Sequence, residues 1–194
     1  GCDVRLADGL AERFDLTILA RRIEGGVEIS HPPARPIAVT VGPASGTAFA
    51  RLVWDTLRRE RFDAVIVQGY GLAAVAANLA RRAGGAPTVM LVCSPGEDYY
   101  RCRREHPQPG KPFRPHELLA LEAVARLNAH LGDGYVVLSQ HLADVVRSHG
   151  GRASIDVIPV YGVDTTVFAP PAEGRATVRA RLGLPAEGSI IFFS

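Results

Sequence analysis

Four short runs decide what this chain can fold into. Residues 63–67 (DAVIV), 88–92 (TVMLV), 135–138 (YVVL) and 155–158 (IDVI) are apolar nearly throughout, with little of the apolar–polar alternation of a half-wet strand. Strands of that kind are covered on both sheet faces, the mark of a parallel sheet wrapped by helices. The stretches between them carry helical periodicity. Phe49, Leu52, Val53 and Leu57 predict an amphipathic helix over 47–60. Leu72, Val75, Ala76 and Leu79 mark the next, closed by Gly84 and Gly85. Ala120, Val124, Leu127 and Leu131 share one face of a third, with Gly132 as its stop. Leu142, Val145, Val146 and His149 form a fourth stripe, stopped by Gly150 and Gly151. Upstream, Leu6, Leu10 and Phe14 mark a short helix, followed by strands over 15–19 and 37–41. The expected class is α/β: a Rossmann-like parallel sheet with helices on both faces.

A hydrophobic content of 47% in 194 residues is enough for such a core. The formal net charge of +2 is too small to indicate a nucleic-acid partner. Lys111 is the one lysine among 22 basic residues, an arginine bias that reads as genome composition, not as a phosphate-binding signal. Three cysteines, Cys2, Cys93 and Cys102, are an odd and sparse set that argues against a disulfide scaffold and fits a reducing, cytoplasmic setting. No run approaches the ~18 consecutive apolar residues of a membrane span, and no signal peptide is visible. The chain opens on Gly1 and closes in the apolar run 190–193, so both ends read as cuts through a longer protein. The Pro/Ala-rich stretch 169–174 reads as a linker, 175–182 as a short helix and 189–193 as the opening strand of another domain. The expected division is a domain over 1–168, a linker with a short helix over 169–188, and the start of a second domain over 189–194.

In an open parallel α/β sheet, ligands bind at the carboxyl ends of the strands. That rule selects Gln68, Gly69, Tyr70 and Gly71; Cys93, Ser94, Pro95 and Gly96; Ser139 and Gln140; and the stretch 159–164. Ser139 stands where a helix N-cap belongs, and the positive helix end beside it suits a phosphate or a sugar hydroxyl. Gly69-x-Gly71-x-x-Ala74 matches a dinucleotide fingerprint, but a strand–helix pair precedes it and Cys93 and Ser94 stand where the ribose-binding acid is expected. Cys93, Cys102, His106 and His116 match no standard zinc spacing, and no GxSxG elbow is present. The stretch 99–115 reads as the longest irregular segment, carrying Tyr99, Tyr100, Arg101, Arg103, Arg104, Lys111 and Arg114. Arginine forks suit phosphate or carboxylate, and tyrosine offers a flat surface for a sugar ring. A merely solvated basic loop, or one that meets an anionic membrane surface, fits the same residues.

The most specific stretch is 157–171, VIPVYGVDTTVFAPP. It resembles the inter-domain signature of family 4 glycosyltransferases, with Ile158, Pro159, Gly162, Val163, Asp164, Phe168 and Pro170 on the pattern. YVVLSQHLADVV, RFDAVIVQGYGLAAVAANLARRAGGAPTV and RARLGLP followed by SIIFFS are similar to further units of that family, in the family's order. The resemblance implies the N-terminal, acceptor-binding half of a GT-B architecture whose C-terminal half binds a nucleotide sugar, with retention of anomeric configuration and no metal. Its implied donor is a nucleoside-diphosphate sugar, with no other cofactor. Its implied partners are a small-molecule or lipid/glycan acceptor and the missing C-terminal domain, with peripheral contact at the inner face of the membrane. Three departures stand out. The family's opening strand and Gly-rich loop have no counterpart, Val160 and Tyr161 replace the usual Asn, and Cys93 and Ser94 stand where many members carry a His.

On this reading Gly69, Tyr70, Ser94, Glu97, Tyr100, Arg101, Arg103 and Ser139 line the acceptor side, and Tyr161, Gly162 and Asp164 lie near the cleft hinge. Asp164 equally suits a cap on the turn before Phe168. The groups that act on the diphosphate belong to the other half, so this piece is expected to be inactive by itself. Another GT-B enzyme, such as a sugar-nucleotide epimerase, and a non-catalytic or NAD-binding α/β module stay open.

Overall fold

A computed structural model describes residues 2–22, 37–107, 109–110, 112–159, 165, 169–170 and 172–190. The chain divides into two compact units, Gly1–Val160 and Tyr161–Ser194. In the first, α1 (Cys2–Ala11) leads to β1 (Thr17–Arg21), β2 (Ala38–Gly42), α2 (Gly46–Arg59), β3 (Val65–Gln68) and α3 (Leu72–Arg82). Then come β4 (Thr88–Val92), α4 (Gly96–Glu105), α5 (Pro115–Leu131), β5 (Gly134–Val137), α6 (Gln140–Ser148) and β6 (Ser154–Val157). The second unit holds α7 (Arg175–Arg181), whose buried Arg179 donates to the carbonyls of Pro185, Ala186 and Gly188. The strand expected over 189–193 falls largely outside the described residues.

β3, β4, β5 and β6 form one parallel sheet in that order, and β1 pairs with β2 in a second parallel pair. The α/β class read from the apolar runs is the observed one. Burial on both faces is met by β4 and β5, at the centre of the sheet. The outer strands are wetter: β3 exposes alternate residues, with Ile66 54% exposed, and β6 exposes all but Ile155. An outer strand has a neighbour on one side only, so apolar composition does not by itself bury it.

The register puts Val67, Met90, Tyr135 and Ile155 in one row across the sheet. That row and the next, with Val92 and Val137, pack against Ala74 of α3 and Leu142, Ala143 and Val146 of α6. A second cluster joins Phe49 and Val53 of α2 to Ala77, and takes in Leu19 of β1 and Val65 of β3. The stripes predicted for α2 and α6 are therefore the packed ones.

Those predicted for α3 and α5 are largely not, although Ala76 of α3 packs against the second cluster. α3 buries Ala74, Ala77, Asn78 and Ala80 and leaves Leu72 and Leu79 exposed. α5 buries Ala125, Asn128 and Ala129 and leaves Leu127 exposed. Small residues let these two helices approach closely. A buried polar junction fixes their faces: Asn78 donates to Asn128 Oδ1 at 3.0 Å and accepts from the Thr88 hydroxyl at 2.6 Å. The stretch after β4 also departs from expectation, since its first part is α4, not loop. Glu97 and Asp98 open that helix and Arg103 and Arg104 close it, the order that suits its dipole.

Candidate functional site

All four strands of the larger sheet run in parallel and in step, so their exits emerge along one edge. Contacts between exits hold that edge together. The Gly69 amide donates to Leu91 O at 2.9 Å, and the Ile158 amide to Val137 O at 2.8 Å. The Gln68 amide nitrogen lies 3.9 Å from Cys93 Sγ. Gly69 turns the chain with φ +81°, a conformation that a side chain would strain. Gly71 then opens α3, Pro95 precedes α4, and Ser139 caps α6, its hydroxyl accepting from Leu142 N–H at 3.4 Å. Three helices thus begin at this edge, each with first-turn N–H groups that have no helical partner. Such groups meet phosphate or hydroxyl oxygens readily.

The structure brings Gly69, Ser94 and Ser139 to this edge, with the two serines exposed. It gives the other predicted side chains partners inside the domain. Tyr100 is buried, and its hydroxyl donates to Glu117 at 2.5 Å and accepts from the Arg114 amide at 3.0 Å. Burial and that bond raise the Tyr100 pKa, and the same bond lowers that of Glu117. Arg101 is held by Glu122 and Asp98 at 2.5 Å each, and the Glu122 bond raises its pKa. Arg103 lies over the rings of Tyr99 and Tyr100, 5.2 and 5.1 Å from their centroids. These groups clasp α4 to α5 and the segment between them. Tyr161, Gly162 and Asp164 lie outside the described residues.

Glu97 and Tyr70 turn inward from the edge. Glu97 is 2% exposed, and its Oε1 lies 3.4 Å from Nε2 of the buried His149. The Tyr70 ring meets the His149 ring edge-on, with centroids 6.2 Å apart. Burial, then the neighbouring Tyr135 and Glu97, raise the Tyr70 pKa. His149 was the residue sequence reading missed. Its signal was there, a titratable side chain in the apolar stripe of α6, but the stripe alone gave it no partner.

Among the described residues, no three His, Cys, Asp or Glu side chains are grouped to hold a metal ion, so Cys93, Cys102, His106 and His116 do not form one. Nor is any helix among them long and apolar enough to cross a membrane. A cavity of about 580 Å³, lined in part by Arg58, Arg61, Asp63 and Gly85, lies where the chain enters β3 and β4. That is the opposite edge from the strand exits, where a ligand of an open parallel sheet is not expected.

The family profile of the glycosyl transferase 4-like domain matches residues 4–160, most of the chain. The chain belongs to that family. It is thus a glycosyltransferase domain of family 4, its N-terminal domain, and the parallel sheet with its helices is the Rossmann-like half of a GT-B fold. No curated protein matches the chain. The matched stretch contains the exits of β3, β4 and β5, so the edge built by Gly69, Ser94 and Ser139 is the family domain's own.

Proposed function

We propose that this domain is the acceptor-side wall of a retaining, nucleotide-sugar-dependent glycosyltransferase of hexosyltransferase type. The observation that carries the reading is the family match across a sheet whose strand exits share one edge. Glycosyl transfer breaks the bond between the anomeric carbon and the departing nucleoside diphosphate and forms one to an acceptor oxygen. A protein speeds it by holding the acceptor hydroxyl against that carbon and by stabilising the leaving charge. Gly69, Ser94 and Ser139 suit the first task, because a flat glycine turn and small hydroxyls admit a sugar or polyol closely. Groups for the second belong, on the resemblance, to the donor-binding half of the architecture, and this domain without it is inactive. Following the resemblance, the donor is a nucleoside-diphosphate sugar, no metal is assigned, and the setting is cytoplasmic.

The acceptor is a small molecule, a glycan or a lipid-linked group. Peripheral contact with the inner face of a membrane is favoured by the exposed Leu119 of α5 and by the basic last turn of α4, Arg103 and Arg104. Melting of the intact protein with UDP-, GDP- and ADP-glucose, against NAD, tests the reading. One nucleotide sugar at a hundredfold its Kd should stabilise by about 2.7 kcal/mol. Stabilisation by NAD alone would overturn it in favour of a dinucleotide-binding module.

A further inference from the structure

Tyr70, Glu97 and His149 meet in a buried polar group that no packing requirement explains. Glu97 stands in the first turn of α4, directly after the β4 exit. Tyr70 is the middle residue of the β3 exit, between Gly69 and Gly71. His149 caps the far end of α6, on the same stripe as Leu142 and Val146. The group therefore joins two site loops to one core helix through side chains alone. Its composition is costly. Glu97 Oε1, His149 Nδ1 and the Tyr70 hydroxyl are all buried with no hydrogen-bond partner among the described residues. Apolar residues of similar volume in such a place usually fold at least as well as an ion pair. Arg103 of the same helix carries the fourth unpartnered buried atom, Nε.

We propose that Glu97 and His149, closed over by Tyr70, are positioning residues that hold the β3 and β4 exits in one wall. The geometry supports this in two ways. The Glu97 carboxylate draws the first turn of α4 down toward α6, which fixes the height at which Ser94 stands on the edge. The Tyr70 ring, set edge-on to the imidazole, ties the Gly69–Gly71 turn to the same point. Neither residue touches the acceptor; they act through Ser94 and through the Gly69 turn. That this wall receives the acceptor rests on the function proposed above, whereas the coupling of the two exits does not.

Amide hydrogen exchange, followed by segment on the intact chain, tests the coupling. Glu97→Gln and His149→Gln should each speed exchange in both exit segments, 66–75 and 92–101, by about tenfold through local opening. The double variant should be no faster than either single one, because both remove the same link. Exchange in α2 should not change. The apolar pair Glu97→Met with His149→Leu provides the decisive arm. It should melt no lower than the wild type and still loosen both exits, a separation that a merely structural pair would not give. Undisturbed exits in the apolar variant, or exchange raised evenly over the domain, would overturn the proposal. Neither result alters the response to nucleotide sugars, so the two readings fail separately.

Discussion

Asn78 shows how one side chain can choose a helix face. Leucines 72 and 79 offered α3 a larger apolar stripe, yet Asn78 is fully buried and the leucines are not. Its amide answers two buried groups at once, the hydroxyl of Thr88 on β4 and the Oδ1 of Asn128 on α5. Asn128 in turn donates to Val124 O at 3.0 Å. Asn78→Leu should therefore cost roughly 2–4 kcal/mol in urea unfolding with an unchanged slope, because the Thr88 hydroxyl and Asn128 Oδ1 are left buried without their bonds to it. Tyr135 sets a limit at high pH. Its hydroxyl donates to Ala129 O at 2.6 Å, and burial first, then the Asp133 charge, push its pKa up to about 12. The folded state thus favours the neutral phenol. That contribution is complete below the ordinary tyrosine value of 10.0 and is lost as pH rises from there toward about 12. Tyr70, raised in the same direction, adds to it. In an alkaline titration followed by tyrosinate absorbance, these two rings should ionise only as the domain unfolds, and Tyr135→Phe should flatten the loss of stability with pH.

Helices in this domain were legible from sequence where one large apolar stripe faced one way, as in α2 and α6. The cap on α6 was legible too, because a serine between an apolar strand and an amphipathic run has few other uses there. Ser139→Ala should lower stability by about 0.5–1 kcal/mol, and Ser139→Asp should restore it, both read from denaturant midpoints. α5 hid its core face because it is apolar nearly all round, which leaves periodicity without a direction. Most of α4 falls in the stretch 99–115 that reads as irregular from sequence. Its acid-first, base-last order was the signal available, and the bonds from Arg101 to Glu122 and from Tyr100 to Glu117 complete what local propensity leaves weak.

At the scale of the whole molecule, the core among the described residues is centred on the β3–β6 sheet. β4 and β5 carry strands on both sides and helices over their packed face, whereas β1 and β2 pair only with each other among the described residues. Val39 and Val41 of β2 stay exposed. Amides of β1 and β2 should therefore exchange at least about a hundredfold faster than those of β4 and β5, through openings that leave the larger sheet intact. Equal protection in the two sheets would show a single cooperative unit instead. The amino-acid order by itself determined the α/β class, the parallel strands and the loops that follow them, since those follow from apolar runs, periodicity and the short turns that separate them. It also carried the family signature. Tertiary packing alone decided which face of α3 and α5 is inward, and that Glu97 and Tyr70 turn away from the edge toward His149. Those outcomes depend on partners far apart in the chain, 50 residues for Asn78 and Asn128 and more for Tyr70 and His149, which no local pattern can name.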